Sequence, residues 1–307
     1  MPHTSNVRAL GWFVRFLPEN SAAPDFYSKV LSLPVIRRAP NSYEVFWAGE
    51  TLIFELLMVA GRKAGLPQTG AEAGCTPVFR VHQLDNLLAA LKKEGAPILN
   101  IEPVWNGRQA MVRDPEGRLV CLREQLGFSP LAEDNTANRR RVRGEAFNPG
   151  CTRMPPLVQE LGWVLRRVVD VAAMTRYYVD VVGLRQVAQQ DGHVYLELGD
   201  NSLLELAPGG QLHDVPADRS RGEDTFLIRV SDAEALRARI RASGTRFVNE
   251  KLEYYWTDIC YCTDPEGQMF GFQQIRHPRH FSPKPAWPEN LEAERRWVEV
   301  QFDARNA

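Results

Sequence analysis

The stretch ALGWFVRFLPENSAAPDFYSKVLSLPV, residues 9–35, recurs as ELGWVLRRVVDVAAMTRYYVDVVGLRQ at residues 160–186, with Trp12 and Trp163 separated by 151 positions. Three more segments repeat in the same order at offsets of 149 or 150. WAGETLIFELL corresponds to ELGDNSLLELA, TPVFRVHQLDNLLAALKKEGAPI to TFLIRVSDAEALRARIRASGTRF, and VRDPEGRLVCLRE to CTDPEGQMFGFQQ. Four ordered matches at a nearly constant offset predict two copies of one unit.

In each copy the sequence predicts a strand, a helix and three further strands, and this order occurs twice. Asn20 or Ser21 in the first copy and Asp170 in the second are polar residues suited to the start of a helix, and Gly183 suits its end. Ser231 and Glu234 have the spacing of a capping box. DPEG, present in both copies, is a turn sequence that joins the last two strands. The order predicts an α+β fold of four βαβββ modules, two in each copy.

The repeat and the composition together suggest domain boundaries. We predict an N-terminal domain at residues 6–128, a linker at 129–156, a C-terminal domain at 157–276 and a tail at 277–307. The linker is polar and contains proline and glycine, and the tail is proline-rich.

Composition narrows the class of partner. A length of 307 residues exceeds what one core usually serves, and 44% hydrophobic with 24% charged residues is typical of soluble globular proteins. The 37 lysines and arginines nearly balance 38 aspartates and glutamates, so no overall field attracts nucleic acid or a membrane surface. A small molecule is the expected partner. No signal peptide or apolar run of about 20 residues is present, which favours a cytoplasmic location.

The order of elements and the repeated motifs resemble the vicinal-oxygen-chelate superfamily of glyoxalases, bleomycin-resistance proteins and extradiol dioxygenases. The resemblance covers nearly the whole chain apart from the linker and the tail. It implies two tandem domains, each of two βαβββ modules that form a cup-shaped mixed sheet with helices on the convex side. It also implies four metal-ligand positions on the concave face of each cup.

The residues at those positions are poor ligands for a metal ion. They are Trp12, Glu55, Thr76 and Cys121 in the first copy and Trp163, Glu205, Thr225 and Gly271 in the second. A divalent ion needs three or more converging donors, so we expect no cofactor. An iron, manganese or zinc site with ligands elsewhere remains the alternative.

The second copy supplies the main candidate site. If DPEG is a tight hairpin, Cys260 opposes Gly271, and Asp258 and Trp256 share its face. The cup would then present side chains that bind a substrate and two carboxylates that act as catalytic acid and base. The substrate-binding candidates are Trp163, Trp256, Cys260 and Thr225, and the catalytic candidates are Glu205 and Asp258. Pairing of Glu205 with Arg229 as a rim carboxylate is the plainer alternative.

The first copy supplies Trp12, Glu55 and Arg108 as further candidates for substrate binding. Tryptophan rings at the ligand positions suit stacking on a planar molecule, and they equally suit plain core packing. Arg108 and Glu55 could form a buried ion pair, in which case their role would be structural.

Three functions stay open. The first is a metal-independent enzyme that acts on a small aromatic compound in the cup of the second copy, by acid/base chemistry of the isomerase, lyase or hydrolase type. The second is a non-catalytic protein of the bleomycin-resistance type, which binds or sequesters a small molecule. The third is a metal-dependent extradiol-type ring-cleavage dioxygenase. A homodimer also stays open, because proteins of this superfamily dimerise.

Overall fold

The computed structural model describes residues 6–39, 42–48, 52–59, 74–104, 107–125, 158–199, 202–214, 216, 224–254 and 257–275. The predicted linker at 129–156, the predicted tail at 277–307 and the candidate Trp256 lie outside the described residues. The domain boundaries therefore remain predictions.

The first two modules have the predicted order. Module 1 comprises β1 (Val7–Pro18), α1 (Ala23–Asp25) continued by a π-helical turn (Phe26–Val30), β2 (Val35–Ala39), β3 (Tyr43–Trp47) and β4 (Ile53–Val59). Module 2 comprises β5 (Cys75–Val81), α2 (Leu84–Lys93), β6 (Ile98–Val104), β7 (Gly107–Arg113) and β8 (Leu119–Gln125).

The last two modules repeat that order. Module 3 comprises β9 (Val158–Val168), α3 (Val171–Arg176) continued by a π-helical turn (Tyr177–Val182), β10 (Arg185–Gln190), β11 (His193–Gly199) and β12 (Ser202–Pro208). Module 4 comprises β13 (Thr225–Val230), α4 (Ala233–Ala242), β14 (Phe247–Tyr254), β15 (Thr257–Thr263) and β16 (Met269–Ile275). The prediction of an α+β fold with four βαβββ modules is confirmed.

The modules pair across the two copies. Sheet I has the strand order β14-β15-β16-β13-β1-β4-β3-β2 and combines modules 1 and 4, whereas sheet II has the order β10-β11-β12-β9-β5-β8-β7-β6 and combines modules 2 and 3. Two modules form each curved sheet, as expected, but they are not consecutive modules of one copy. The first strands of the modules meet as the antiparallel pairs β1–β13 and β5–β9. In sequence β1 resembles β9 and β5 resembles β13, so the repeat alone does not decide whether β1 pairs with β5 or with β13.

One hydrophobic core joins the convex faces of both sheets to the helices. Phe54 of sheet I, for example, contacts Phe79 of sheet II with ring centroids 5.6 Å apart. Helix α2 contributes a buried stripe at helical spacing, Leu84, Leu87, Leu88 and Leu91. The concave faces carry separate apolar clusters, so each sheet has its own cup.

A buried ion pair fastens sheet I to sheet II. Arg15 of β1 donates to Asp114, in the DPEG turn of sheet II, and to Asp224, both at 2.8 Å. The carboxylate of Asp114 also accepts hydrogen bonds from Tyr27 and from the backbone N–H of Glu116. Burial lowers the pKa of Arg15, but the neighbouring Asp224 and Asp114 raise it more, so the guanidinium stays charged.

An equivalent ion pair joins a strand of sheet II to the DPEG turn of sheet I. Arg166 of β9 donates to Asp264, in the DPEG turn of sheet I, at 3.2 Å. Asp264 also accepts from Tyr178 and from the backbone N–H groups of Glu266 and Gln268. In both places, therefore, an arginine on a strand of one sheet binds the aspartate in the DPEG turn of the other sheet.

The ends of the helices follow the local sequence closely. Asp170 caps α3 by accepting from the N–H of Ala173, and Gly183 ends the following turn with a φ of +89°, as predicted. The cap of α4 is Asp232, which accepts from the N–H of Ala235, so the capping box predicted at Ser231 was wrong by one residue. Both residues can cap a helix, and backbone geometry selects the second.

No helix among the described residues is long and apolar enough to cross a membrane.

Substitution of Arg15 by methionine should destabilise the fold by about 3–5 kcal/mol, because it leaves the buried carboxylate of Asp114 without its counter-charge and removes one of the two arginines that pair with Asp224. Urea unfolding followed by circular dichroism measures the difference. The control is Lys29→Met, which removes an exposed ion pair with Asp25 and should change stability by less than about 1 kcal/mol. Equal stability of the Arg15 variant and the wild type would show that this contact between the sheets does not contribute to the stability of the fold.

Candidate functional site

A glycine and a tryptophan shape the floor of each cup. At Gly11 and Gly162 the first strand bulges, and the tryptophan that follows turns its ring to the concave face. A Cβ atom on Gly11 would lie 2.5 Å from Nε2 of Gln273 and 2.8 Å from Cγ of Arg229. The repeated sequence LGW thus leaves room for polar side chains of neighbouring strands to cross the floor.

The concave face of sheet II, here called cup II, is closed by an ion pair. Glu205 of β12 lies 2.9 Å from the guanidinium of Arg123 of β8, and both side chains are 2% exposed. The guanidinium covers the Trp163 ring at 4.2 Å from its centroid. Oε1 of Gln109 accepts from Nε of Arg123 at 3.0 Å. Glu205 and Trp163, two of the positions that the family resemblance implicates in metal binding, are therefore occupied by contacts within the protein.

Two further contacts complete the charge balance of cup II. Nη1 of Arg80 lies 2.5 Å from Oε1 of Glu160. His193 places Nδ1 at 2.7 Å from Oε1 of Glu205. Burial raises the pKa of Glu205, but Arg123 and His193 lower it more, so the carboxyl titrates below its usual range. Such a group is a poor general acid at neutral pH.

The thiol at the floor of cup II is also unreactive. Burial raises the pKa of Cys121 to about 12, despite the nearby Arg123. A thiol with so high a pKa is protonated at neutral pH and is a weak nucleophile.

The concave face of sheet I, here called cup I, has other residues than cup II at several equivalent positions, among them those of Arg123 and Glu160. Gln273 follows the DPEG aspartate by nine residues, as Arg123 does. Ala9 precedes the cup tryptophan by three residues, as Glu160 does, and it pairs in register with Arg229 as Glu160 pairs with Arg80. Cup I therefore lacks one arginine and one glutamate that cup II contains.

Cup I is the more open of the two. Trp12, Glu55 and Arg229 are half-buried, whereas their counterparts in cup II are buried. Gln273 is 0% exposed, and neither its Oε1 nor its Nε2 has a hydrogen-bond partner among the described residues. A buried amide without a partner is costly, so Gln273 is a candidate contact for a molecule in cup I.

The predicted acid/base pair is not assembled. Glu205 faces cup II, whereas Asp258 lies on β15 of sheet I, on the same side as the core residue Cys260. The predicted facing of Cys260 and Gly271 is wrong, since Tyr261 opposes Gly271. The turn closes one residue later than expected, through the hydrogen bond from Asp264 N to Gln268 O, and a shift of one residue exchanges the two faces.

The other candidates are spread over both sheets. Trp163 lies in cup II and Trp12 and Glu55 in cup I. Thr225, on β13 of sheet I, is fully buried and donates to the carbonyl of Met269. Arg108 pairs with Glu124 at 2.7 Å and with Asp85, so the predicted pairing with Glu55 was wrong. Its position in sheet II keeps it away from Glu55.

Sequence reasoning missed the partners of Glu205. Arg123, which pairs with Glu205, comes from module 2, as does Gln109, which accepts from Arg123, and only the pairing of modules 2 and 3 brings Arg123 to Glu205. His193 had a usable signal, because it alternates with Tyr195, which pairs with Glu205 across the hairpin. The suggested partner Arg229 is in sheet I, so a different arginine neutralises Glu205.

The donors in the cups do not fit a divalent metal ion. Within the part of the chain that the structure describes, no three His, Cys, Asp or Glu side chains are grouped to hold one. In cup II the guanidinium of Arg123 stands beside Glu205, where a cation would otherwise bind, and in cup I an amide and a tryptophan accompany Glu55. Guanidinium and indole groups do not serve as ligands of such ions, and the carboxylate of Glu55 with the amide oxygen of Gln273 supplies fewer than the three converging donors that a divalent ion needs.

Solved structures with this fold come from bacteria and plants. A Bacillus subtilis protein described as a "putative dioxygenase" aligns over 97% of both chains with a TM-score of 0.63 and 14% identity. Glyoxalase I from Zea mays aligns over 87% of this chain and 92% of its own with a TM-score of 0.59 and 17% identity. At such low identities the likeness concerns the fold.

A family model also matches the sequence, over residues 160–272, and its description is Glyoxalase/Bleomycin resistance protein/Dioxygenase superfamily. No curated protein matches the sequence. The matched range spans modules 3 and 4, and the fold of the superfamily extends over both sheets. Residues 160–272 are therefore identified as a domain of the Glyoxalase/Bleomycin resistance protein/Dioxygenase superfamily.

Proposed function

We propose that the protein binds a small planar molecule in cup I without the help of a metal ion. One observation carries the proposal: Trp12 and Glu55 are half-buried around the unpartnered amide of Gln273, whereas Arg123 closes the equivalent place in cup II. A site that is closed by its own side chains needs no ligand. We therefore place the ligand in cup I, which is the more open of the two.

The walls of cup I suit a flat, largely apolar ligand. Leu227, Ile259 and Tyr261 form an apolar cluster with Trp12 on the concave face. Binding sites for small molecules combine such apolar walls with a few polar groups that fix the orientation of the ligand. The indole ring of Trp12 offers a stacking surface, and Gln273 offers a donor and an acceptor.

Acid/base catalysis in the same cup is the second candidate. The observation that favours it is the half-buried carboxylate of Glu55, which stands on β4 next to the tryptophan-bearing strand β1. A carboxylate in such surroundings can accept a proton from a bound molecule. Glu55 thereby replaces the dispersed pair Glu205 and Asp258 as the residue that we assign to proton transfer.

Binding in cup I should quench the fluorescence of Trp12. Titration with planar aromatic probes such as indole and benzamide, in buffer containing EDTA, should give saturable quenching in the wild type. The variant Trp12→Leu should bind about tenfold more weakly or worse, because the stacking surface is lost. The control Trp163→Phe alters cup II alone and should bind normally. Binding that appears only after manganese, iron or zinc is added would contradict the proposal.

Catalysis and sequestration predict different fates for the ligand. Under catalysis, Glu55→Gln should lower turnover by about a hundredfold or more while leaving affinity for the probes nearly unchanged, since the shape of the side chain is kept. Chromatography of a bound compound after long incubation measures turnover. Intact recovery from the wild type would rule out catalysis for that compound and leave binding as the function.

Substitution of Glu205 by glutamine should act on stability rather than on binding. Arg123 would lose its buried counter-charge, at a cost of about 3 kcal/mol near neutral pH. The folded-state pKa of Glu205 is lowered, so its contribution is complete above the unfolded-state pKa of about 4.3 and is lost as the pH falls through the folded-state pKa. Urea unfolding should show a difference from wild type that shrinks in acid. A loss of probe binding without a loss of stability would instead place the ligand in cup II.

A further inference from the structure

We propose that Gly11 sets the depth of cup I and thereby the size of the planar molecule that the cup accepts. This residue has no side chain at the point where two polar side chains of neighbouring strands cross the floor of the cup. The inference rests on the proposed binding of a planar molecule in cup I, and it assigns a residue that determines the specificity of that binding.

A bulge in β1 brings Gly11 to the floor of cup I. The register of β1 against β13 shifts between Leu10 and Trp12. Such a bulge inserts one extra residue into a strand and changes the direction of its side chains. A Cβ atom on Gly11 would point at Gln273 and Arg229 on the concave face, and Trp12 packs with the apolar cluster of the same face. Gly11 and Trp12 therefore form the floor together.

Two side chains occupy the space that a side chain of Gly11 would take. Its Cβ atom would lie 2.5 Å from Nε2 of Gln273, 2.8 Å from Cγ of Arg229 and 3.0 Å from Nε of the same arginine. Non-bonded carbon atoms normally approach to about 3.5–4.0 Å. The glycine thus allows the amide of Gln273, which is fully buried, and the stem of Arg229 to lie deep in the cup.

The floor of cup II is packed less closely. The three atoms nearest to a Cβ on Gly162 all belong to Arg80, at 3.2, 3.4 and 3.5 Å. Arg123, which stands where cup I has Gln273, does not lie over this glycine but covers the ring of Trp163 at 4.2 Å from its centroid. Trp163 is buried, whereas its counterpart in cup I is half-buried. Close packing on Gly11 therefore accompanies an uncovered tryptophan ring.

A methyl group on Gly11 would make cup I shallower. Neither Gly11 nor Gly162 has a positive φ, so alanine suits the backbone at both positions and its effect comes from contacts alone. The new methyl group extends from the floor strand, so it pushes the amide of Gln273 and the stem of Arg229 toward the space of the cup. Packed side chains have little other room to move. A larger ring should lose more affinity than a smaller one.

Two neutral probes of different size test the inference. Indole has two fused rings and benzamide has one. In calorimetric titrations, Gly11→Ala should weaken the binding of indole about tenfold and that of benzamide less than about threefold, because only the larger ring needs the full depth. The control Gly162→Ala adds the same methyl group to cup II and should leave both affinities unchanged.

A double-mutant cycle with Gln273→Ala separates loss of depth from a general disturbance. In the Gln273→Ala background, Gly11→Ala should weaken the binding of indole less than about threefold, because the methyl group no longer meets the amide and the stem of Arg229 can move aside. Thermal unfolding verifies that each variant is folded. If Gly11→Ala alone does not fold, the double variant should still fold and should bind indole within about threefold of Gln273→Ala.

The possible results separate this inference from the proposed function. Equal weakening of both probes, unchanged binding of both, or a loss of indole affinity that is as large in the Gln273→Ala background would overturn the role of Gly11 while leaving planar binding intact. The absence of binding of either probe by the wild type would overturn planar binding itself. A loss confined to indole, absent in Gly162→Ala and reduced without the amide, would support both.

Discussion

Two buried ion pairs, Arg15 with Asp114 and Arg166 with Asp264, hold the molecule together at symmetry-related places. Each aspartate performs two tasks, because it also accepts backbone N–H groups of its own turn. The geometry of a hairpin in one sheet thus depends on a strand of the other sheet. A buried carboxylate that lost its arginine would be strongly destabilising. The conformation of each DPEG turn and the contact between the sheets therefore depend on each other.

This arrangement also decides which side chains share a cup. Sheet II draws its last strands from both copies, so Glu205 of module 3 meets Arg123 of module 2. Cup I instead joins Glu55 of module 1 to Gln273 of module 4. The copies are similar in sequence, yet exchanging partners between them yields one cup with paired charges and one with an unpartnered buried amide. The structural asymmetry between the two cups follows from the pairing of modules.

Features that depend on neighbouring residues could be predicted from the sequence. The four modules, the cap at Asp170, the end at Gly183 and the DPEG turns all arise from contacts within a few positions. Two features could not. The pairing of modules depends on strands far apart in the chain that resemble one another, and a hairpin loop longer by one residue reversed the faces of Cys260 and Asp258. The candidate site was therefore divided between two cups.

Cup II is an internal reference for what cup I lacks. In cup II, Glu205 and the guanidinium of Arg123 pair within the protein and cover the face of Trp163. In cup I the place of Arg123 is taken by Gln273, whose side chain is too short to cover the ring of Trp12 as Arg123 covers that of Trp163. Water can satisfy an amide or a carboxylate, but it does not stack on an indole. A planar ligand with a polar group meets both demands, and on this ground we propose binding in cup I.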